Sequence, residues 1–110
     1  MKRNIQRILN IRKERDWEQF HLPKNLAISL VLEAAEVLEV FQWSKDHNVP
    51  EGKKVNLADE LADVYYWLLL LAYDMDIDLE KALSDKIDKN EKKYPIDKSK
   101  GNAKKYNEFL

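Results

Sequence analysis

The chain has 110 residues, a formal net charge of -1 and no cysteine. That length suits one small domain whose modest core gains from association, and the near-neutral balance supplies no basic field for polymeric nucleic acid. A disulfide framework, a thiol nucleophile and a thiolate zinc site are excluded. With two Gly and three Pro, the sequence reads as all-helical, without repeats or low-complexity segments. The first helix is predicted from about Arg3 to Arg15. Its surroundings, "MKRNIQRILNIRKERDW", lack the long apolar run of a signal peptide, so a cytoplasmic location is expected. Pro23 suits the first turn of a second helix continuing to about Ser44, and "KDHNVPEGKK" connects it to a third. Asn56 is expected to cap the third helix, with Asp59 and Glu60 in its first turn, and "DMDID" to break it near Asp76. The run "VYYWLLLLA" inside it is far shorter than the ~20 residues needed to cross a bilayer, so no membrane association is expected. Asp78 can cap a fourth helix, which must stop at Tyr94 and Pro95 because proline disfavours helical geometry in the residue before it. Residues 1–95 are thus the expected helical domain, and 96–110, "IDKSKGNAKKYNEFL", a tail that is either mobile or wrapped on a neighbouring chain.

The second and third helices carry an oddity. Neither Asn25 to Ser44 nor Asn56 to Asp74 contains a Lys or Arg, although the chain has 19 of them. At about 100° per residue, Asn25, Ser29, Glu33, Glu36 and Trp43 share one face of the second helix. Asn56, Glu60, Asp63, Trp67 and Asp74 form the matching face of the third. "EAAE" and "ELAD" are therefore carboxylate pairs at i,i+3 spacing on heavily apolar helices, and the two faces can meet. Four carboxylates converging without local cations repel, and burying them is costly unless they are protonated or neutralised. A bound divalent cation resolves this, and all-oxygen ligation suits Mg²⁺, with Mn²⁺ as a substitute. The alternative is a solvated acidic face paired with basic residues from the first and fourth helices. A di-iron carboxylate bundle fits poorly, because it wants an ExxH motif and the two histidines are His21 and His47.

On the fourth helix, Asn90 lies within the apolar stripe of Leu79, Leu83, Ile87 and Tyr94, with Lys86 and Lys93 along its edge. These groups can form a phosphate clamp, or the lysines can simply snorkel while Asn90 bonds a neighbouring helix. Trp43 lies seven residues beyond Glu36, roughly 10 Å along the axis, about the span from a nucleotide's phosphates to its base. Trp43 or Trp67 could stack a base or pack in the core.

"EAAE" followed after 23 residues by "ELAD", then "KIDKNEKKYP", resembles the MazG-like nucleotide pyrophosphohydrolases of the all-α NTP pyrophosphatase superfamily. The approach "RDWEQFHLPKNLAISLVLEAAEVLEVFQW" and the segment Ala103 to Tyr106 are most similar to the dCTP pyrophosphatase group. The resemblance implies a four-helix MazG-like bundle completed by oligomerisation, as a homodimer or homotetramer. It implies a Mg²⁺-dependent enzyme that converts a nucleoside triphosphate, dCTP or a related dNTP, to its monophosphate and pyrophosphate, in nucleotide pool sanitation. Carried over to this chain, it makes Glu33, Glu36, Glu60 and Asp63 metal ligands. Lys86, Asn90, Lys93 and Tyr94 become phosphate or sugar contacts, and Trp17, His21, Asn25 and Trp43 the nucleoside pocket. Trp67 stands where related enzymes can carry a tyrosine. In the chemistry so implied, Glu33 or Glu36 accepts the proton of the attacking water while Lys86 and Lys93 stabilise the leaving pyrophosphate. The competing class is a non-enzymatic helical interaction module with acidic docking faces.

Overall fold

The computed structural model describes residues 2–42, 52–101 and 103, and every regular element among them is helical. In chain order these are α1 (Lys2–Glu14), a 3-10 turn (Glu18–Phe20), α2 (Pro23–Val40), α3 (Lys54–Asp74), α4 (Leu79–Lys93) and α5 (Ile96–Ser99). Four of the five helices are those expected from periodicity; the fifth is a single turn inside the expected tail. Among the described residues, no helix is long and apolar enough to cross a membrane.

The helix ends follow local chemistry, with instructive departures. Leu22 is extended and Pro23 opens α2, where its missing N–H costs nothing and its fixed φ is already helical. The helix stops at Val40, earlier than the expected Ser44, as the Phe41 N–H turns back onto the Leu38 carbonyl at 3.0 Å. Lys53, not Asn56, precedes α3, so Asn56 lies within the first turn and is not its cap. Lys53 follows Gly52, whose φ of +82° turns the chain into the helix. Asp78 does cap α4, its carboxylate accepting from the Lys81 N–H at 3.1 Å.

Two helices end in the same way. After α1, Asp16 adopts φ +55°, and the N–H groups of Asp16 and Trp17 bond the carbonyls of Lys13 and Arg12 at 3.1 and 3.0 Å. After α3, Asp76 repeats that φ, and Asp76 and Ile77 bond Tyr73 and Ala72 at 3.1 and 2.8 Å. Both are Schellman motifs with aspartate in the left-handed position that glycine usually fills.

Contacts divide the chain into Met1–Ile77 and Asp78–Leu110. In the first unit α2 packs along α3, and α1 along α3 more sparsely. The α2 and α3 helices run antiparallel, as Glu36 meets Glu60 while Glu33 meets Trp67. Among the described residues, Ile8, Leu26, Leu69, Leu70 and Ala72 are the buried apolar ones, and Leu26 and Leu70 are sealed almost completely. This is a thin core, and large apolar side chains remain on the surface, including Val31 at 67% and Leu38 at 71% exposure on α2. The second unit contains α4 and α5, with Leu83 and Ile87 exposed.

The αL aspartates generate a stability prediction. Asp76→Gly relieves the crowding of Cβ against the carbonyl and should raise stability by about 1 kcal/mol, whereas Asp76→Val, whose branched Cβ tolerates αL worse, should lower it by more. Urea unfolding monitored by circular dichroism measures both; equal stability of the two variants would show that the α3 terminus is not strained.

Candidate functional site

The antiparallel packing of α2 on α3 brings the two carboxylate pairs together. Glu33, Glu36, Glu60 and Asp63 each offer an oxygen, and the four oxygens lie within 4.8 Å of one another. Glu33 and Glu60 are half-buried, while Glu36 and Asp63 are exposed, so the cluster has a floor of two acids and an open rim of two. Oε2 of Glu33 and Oε2 of Glu60 are buried with no hydrogen-bond partner. An orphaned carboxylate oxygen facing three other acids is the arrangement a cation relieves. The donor set, four carboxylates and no nitrogen or sulfur, fits a hard divalent ion.

Without a metal, the cluster holds protons. Glu60 is pushed up to about 7, first by its hydrogen bond with Glu36, then by burial and by the charges of Glu36, Asp63 and Glu33. Burial first, and then Glu36 and Asp63, raise Glu33 above its ordinary 4.5, while hydrogen bonding from Trp67 works the other way. Asp74, expected on the same acidic face, is elsewhere: its carboxylate takes both arms of the Arg12 guanidinium at 2.8 and 3.0 Å. It leaves the acid cluster because it lies at the last turn of α3, beside the last turn of α1.

An aromatic row begins where the acids end. The Trp67 ring meets His21 edge-on at 5.5 Å between centroids, and His21 lies 6.4 Å from Trp17. Burial, then the charge of Arg12, lowers the His21 pKa below its usual 6.5, while Asp74 pulls it back. The imidazole is thus neutral near pH 7, with Nδ1 buried and unpartnered. Trp17 is 41% exposed and has the Arg15 guanidinium 5.7 Å from its ring centroid. Asn25 donates through Nδ2 to the Phe20 carbonyl at 3.2 Å, closing the 3-10 turn onto α2. Of the residues expected in a site, the structure therefore groups Glu33, Glu36, Glu60 and Asp63, and aligns Trp17, His21 and Trp67 beside them. Trp43 lies outside the described residues. Lys86, Asn90 and Lys93 are on α4 in the second unit, where the Tyr94 N–H closes onto the Asn90 carbonyl at 2.9 Å. The Arg12–Asp74 pair was not anticipated. Its signal was an arginine in the last turn of the first helix and an aspartate in the last turn of an otherwise apolar one.

The raised carboxyl values give a pH dependence. Between about 4.5 and about 7 the folded metal-free protein keeps protons on Glu60 that the unfolded chain has released. Stability therefore falls as pH rises through that window, and is flat in this contribution below and above it. Urea midpoints measured across it should decline, and Glu60→Gln, neutral at every pH, should flatten the decline; an unchanged slope in that variant would place the protons elsewhere.

Comparison with known proteins agrees with this geometry. The model of the MazG-like family matches residues 28–109. Curated relatives include dCTP pyrophosphatase 1 of Mus musculus, 42% identical, and of Homo sapiens, 41% identical, each over 87% of this chain. The chain spans 59% of the length of either. A crystal structure of a pyrophosphatase from Archaeoglobus fulgidus is similar with a TM-score of 0.81 and 38% identity, over 86% of this chain and 92% of that one. Facing carboxylate pairs on an all-helical scaffold, a family match over most of the residues and a solved relative of the same fold lead to one conclusion: the chain belongs to the MazG-like family.

Proposed function

We propose that the protein is a Mg²⁺-dependent nucleoside triphosphate pyrophosphohydrolase, with dCTP or a related deoxynucleotide as substrate. The observation that carries this reading is the cluster of four carboxylates within 4.8 Å, two of them with buried, unpartnered oxygens. The dCTP pyrophosphatase 1 relatives support the substrate class and the Archaeoglobus pyrophosphatase supports the reaction. Glu33, Glu36, Glu60 and Asp63 would hold Mg²⁺ or Mn²⁺. Such an ion, when bound, neutralises phosphate charge and acidifies water. Glu33 or Glu36 accepts the proton of the water that attacks the α-phosphorus, and the half-buried floor limits competing solvent. Lys86 and Lys93 oppose the charge of departing pyrophosphate, with Asn90 and Tyr94 on phosphate or sugar; these roles rest on the family resemblance of α4. Trp17, His21 and Trp67 form an aromatic row leading from Glu33, which suits a base stacked or wedged against rings, with Asn25 and Trp43 completing the pocket. A cytoplasmic role in nucleotide pool sanitation belongs to the same reading.

A homo-oligomer, dimer or tetramer, is part of this proposal. Val31, Leu32 and Leu38 on α2 and Val55 and Leu61 on α3 are all more than half exposed. Apolar surface on that scale beside so thin a core calls for a second chain, with 96–110 reaching the neighbour.

Glu36→Gln and Asp63→Asn should each abolish nearly all pyrophosphate release at saturating Mg²⁺. Helical circular dichroism should be retained, because removing one of four repelling charges does not cost stability. Wild-type turnover in both variants would sink the metal assignment. The wild type should favour dNTPs over CTP across a nucleotide panel, with dCTP or a 5-substituted relative near the top; equal kcat/KM for CTP and dCTP would remove the dCTP assignment alone. Light scattering should return a multiple of 13.1 kDa, and a monomer at micromolar concentration would refute the oligomer.

A further inference from the structure

The segment that carries Trp17 and His21 is short, exposed along much of its length and made of a single 3-10 turn, so its geometry must be imposed from outside. Three contacts do this. The Arg12 carbonyl accepts the Trp17 N–H at 3.0 Å, fixing where the segment leaves α1. Asn25 holds the other end through the Phe20 carbonyl at 3.2 Å. Between them, the His21 ring abuts Trp67 of α3. The first anchor is only as firm as the end of α1, and α1 meets α3 sparsely. What ties that end down is the fork of Arg12 on Asp74, at 2.8 and 3.0 Å, with the two side chains only 11% and 20% exposed.

We propose that Arg12, locked by Asp74, is a positioning residue for nucleotide recognition: it sets the Trp17–His21 wall against Trp67 and thereby the base selectivity of the site, without touching substrate. This rests on the nucleotide-hydrolase reading above. A planar, bidentate fork constrains direction as well as distance, which one ammonium contact cannot do. The pair is also poorly optimised for stability alone, since Arg12 Nε is buried with no partner, a cost that an apolar pair would avoid. A costly interaction at the edge of a recognition wall is expected where geometry, not stability, is the requirement. Arg12 acts on the wall a second way: its charge lowers the His21 pKa and Asp74 opposes it, so the pair balances the field at the ring that faces Trp67.

Steady-state kinetics on a panel of deoxynucleoside triphosphates separates the outcomes. Arg12→Met and Asp74→Asn should each raise KM for the preferred nucleotide by about tenfold, hold kcat within about twofold and narrow the kcat/KM ratio between preferred and second-best bases. Asp74→Glu, which keeps a carboxylate for the fork, should recover most of the selectivity, while Arg12→Lys should not. The thermal stabilisation given by Mg²⁺ alone should stay at the wild-type value, because the carboxylate cluster is untouched. Lowered thermal stability with wild-type KM and base selectivity would overturn the proposal and leave the pair a structural tie. If Arg12→Met does not fold, Asp74→Asn and Arg12→Lys decide by the same criteria. A wild-type protein that releases pyrophosphate from no nucleotide would instead overturn the hydrolase reading and this inference with it, a result distinct from active enzyme with indifferent Arg12 and Asp74 variants.

Discussion

Mutual repulsion among Glu33, Glu36, Glu60 and Asp63 is the constraint around which the first unit is arranged. The four oxygens converge within 4.8 Å on two helices that otherwise pack with apolar side chains. Leu26 and Leu70, sealed in the same α2–α3 layer, supply burial that offsets the electrostatic cost, at roughly 2 kcal/mol for each fully buried aliphatic chain. The hydrogen bond with Glu36, burial and the neighbouring acids push Glu60 up to about 7, and a proton held there relieves part of the repulsion. Folding thus stores, at the cluster, an unfavourable charge arrangement that a bound cation would relieve. Sites of this kind trade stability for function.

The acid cluster and the aromatic row are adjacent because one residue belongs to both. Trp67 hydrogen-bonds Glu33 and meets the His21 ring edge-on, so the aromatic row starts at the acid cluster. A tyrosine at that position would place a hydroxyl where the indole presents its N–H and a broader face. On the proposed hydrolase reading, the change alters what the wall offers a base while leaving the four carboxylates untouched, so base preference would be governed by different residues from the reaction.

The sparse α1–α3 contact explains why a single ion pair acquires weight. An exposed pair contributes about 0–1 kcal/mol, and isolated salt bridges are poor stability arguments. Arg12 and Asp74 are instead largely shielded and bidentate, at the place where two Schellman-terminated helices end side by side. The left-handed Asp16 and the fork together set the direction in which the chain leaves α1, and that direction carries Trp17 and His21 to Trp67.

Periodicity and composition were enough to read the helical class, four of the five helices and the carboxylate faces of α2 and α3, because a 3.6-residue repeat places i,i+3 acids on one side of any helix regardless of its neighbours. The Asp78 cap was legible for the same local reason. Local rules failed where they depended on competing neighbours: Asn56 looked like a cap, yet the helix starts at Lys54, and the left-handed positions were filled by Asp16 and Asp76 without the usual glycine. The sequence by itself determined that acids would share helical faces. Only the tertiary structure decided that Asp74 leaves them for Arg12, that Trp67 joins Glu33 to His21 and that Asn25 closes the 3-10 turn, because each is a contact between segments whose register is set by packing, and packing distances are not encoded in the spacing of any one helix.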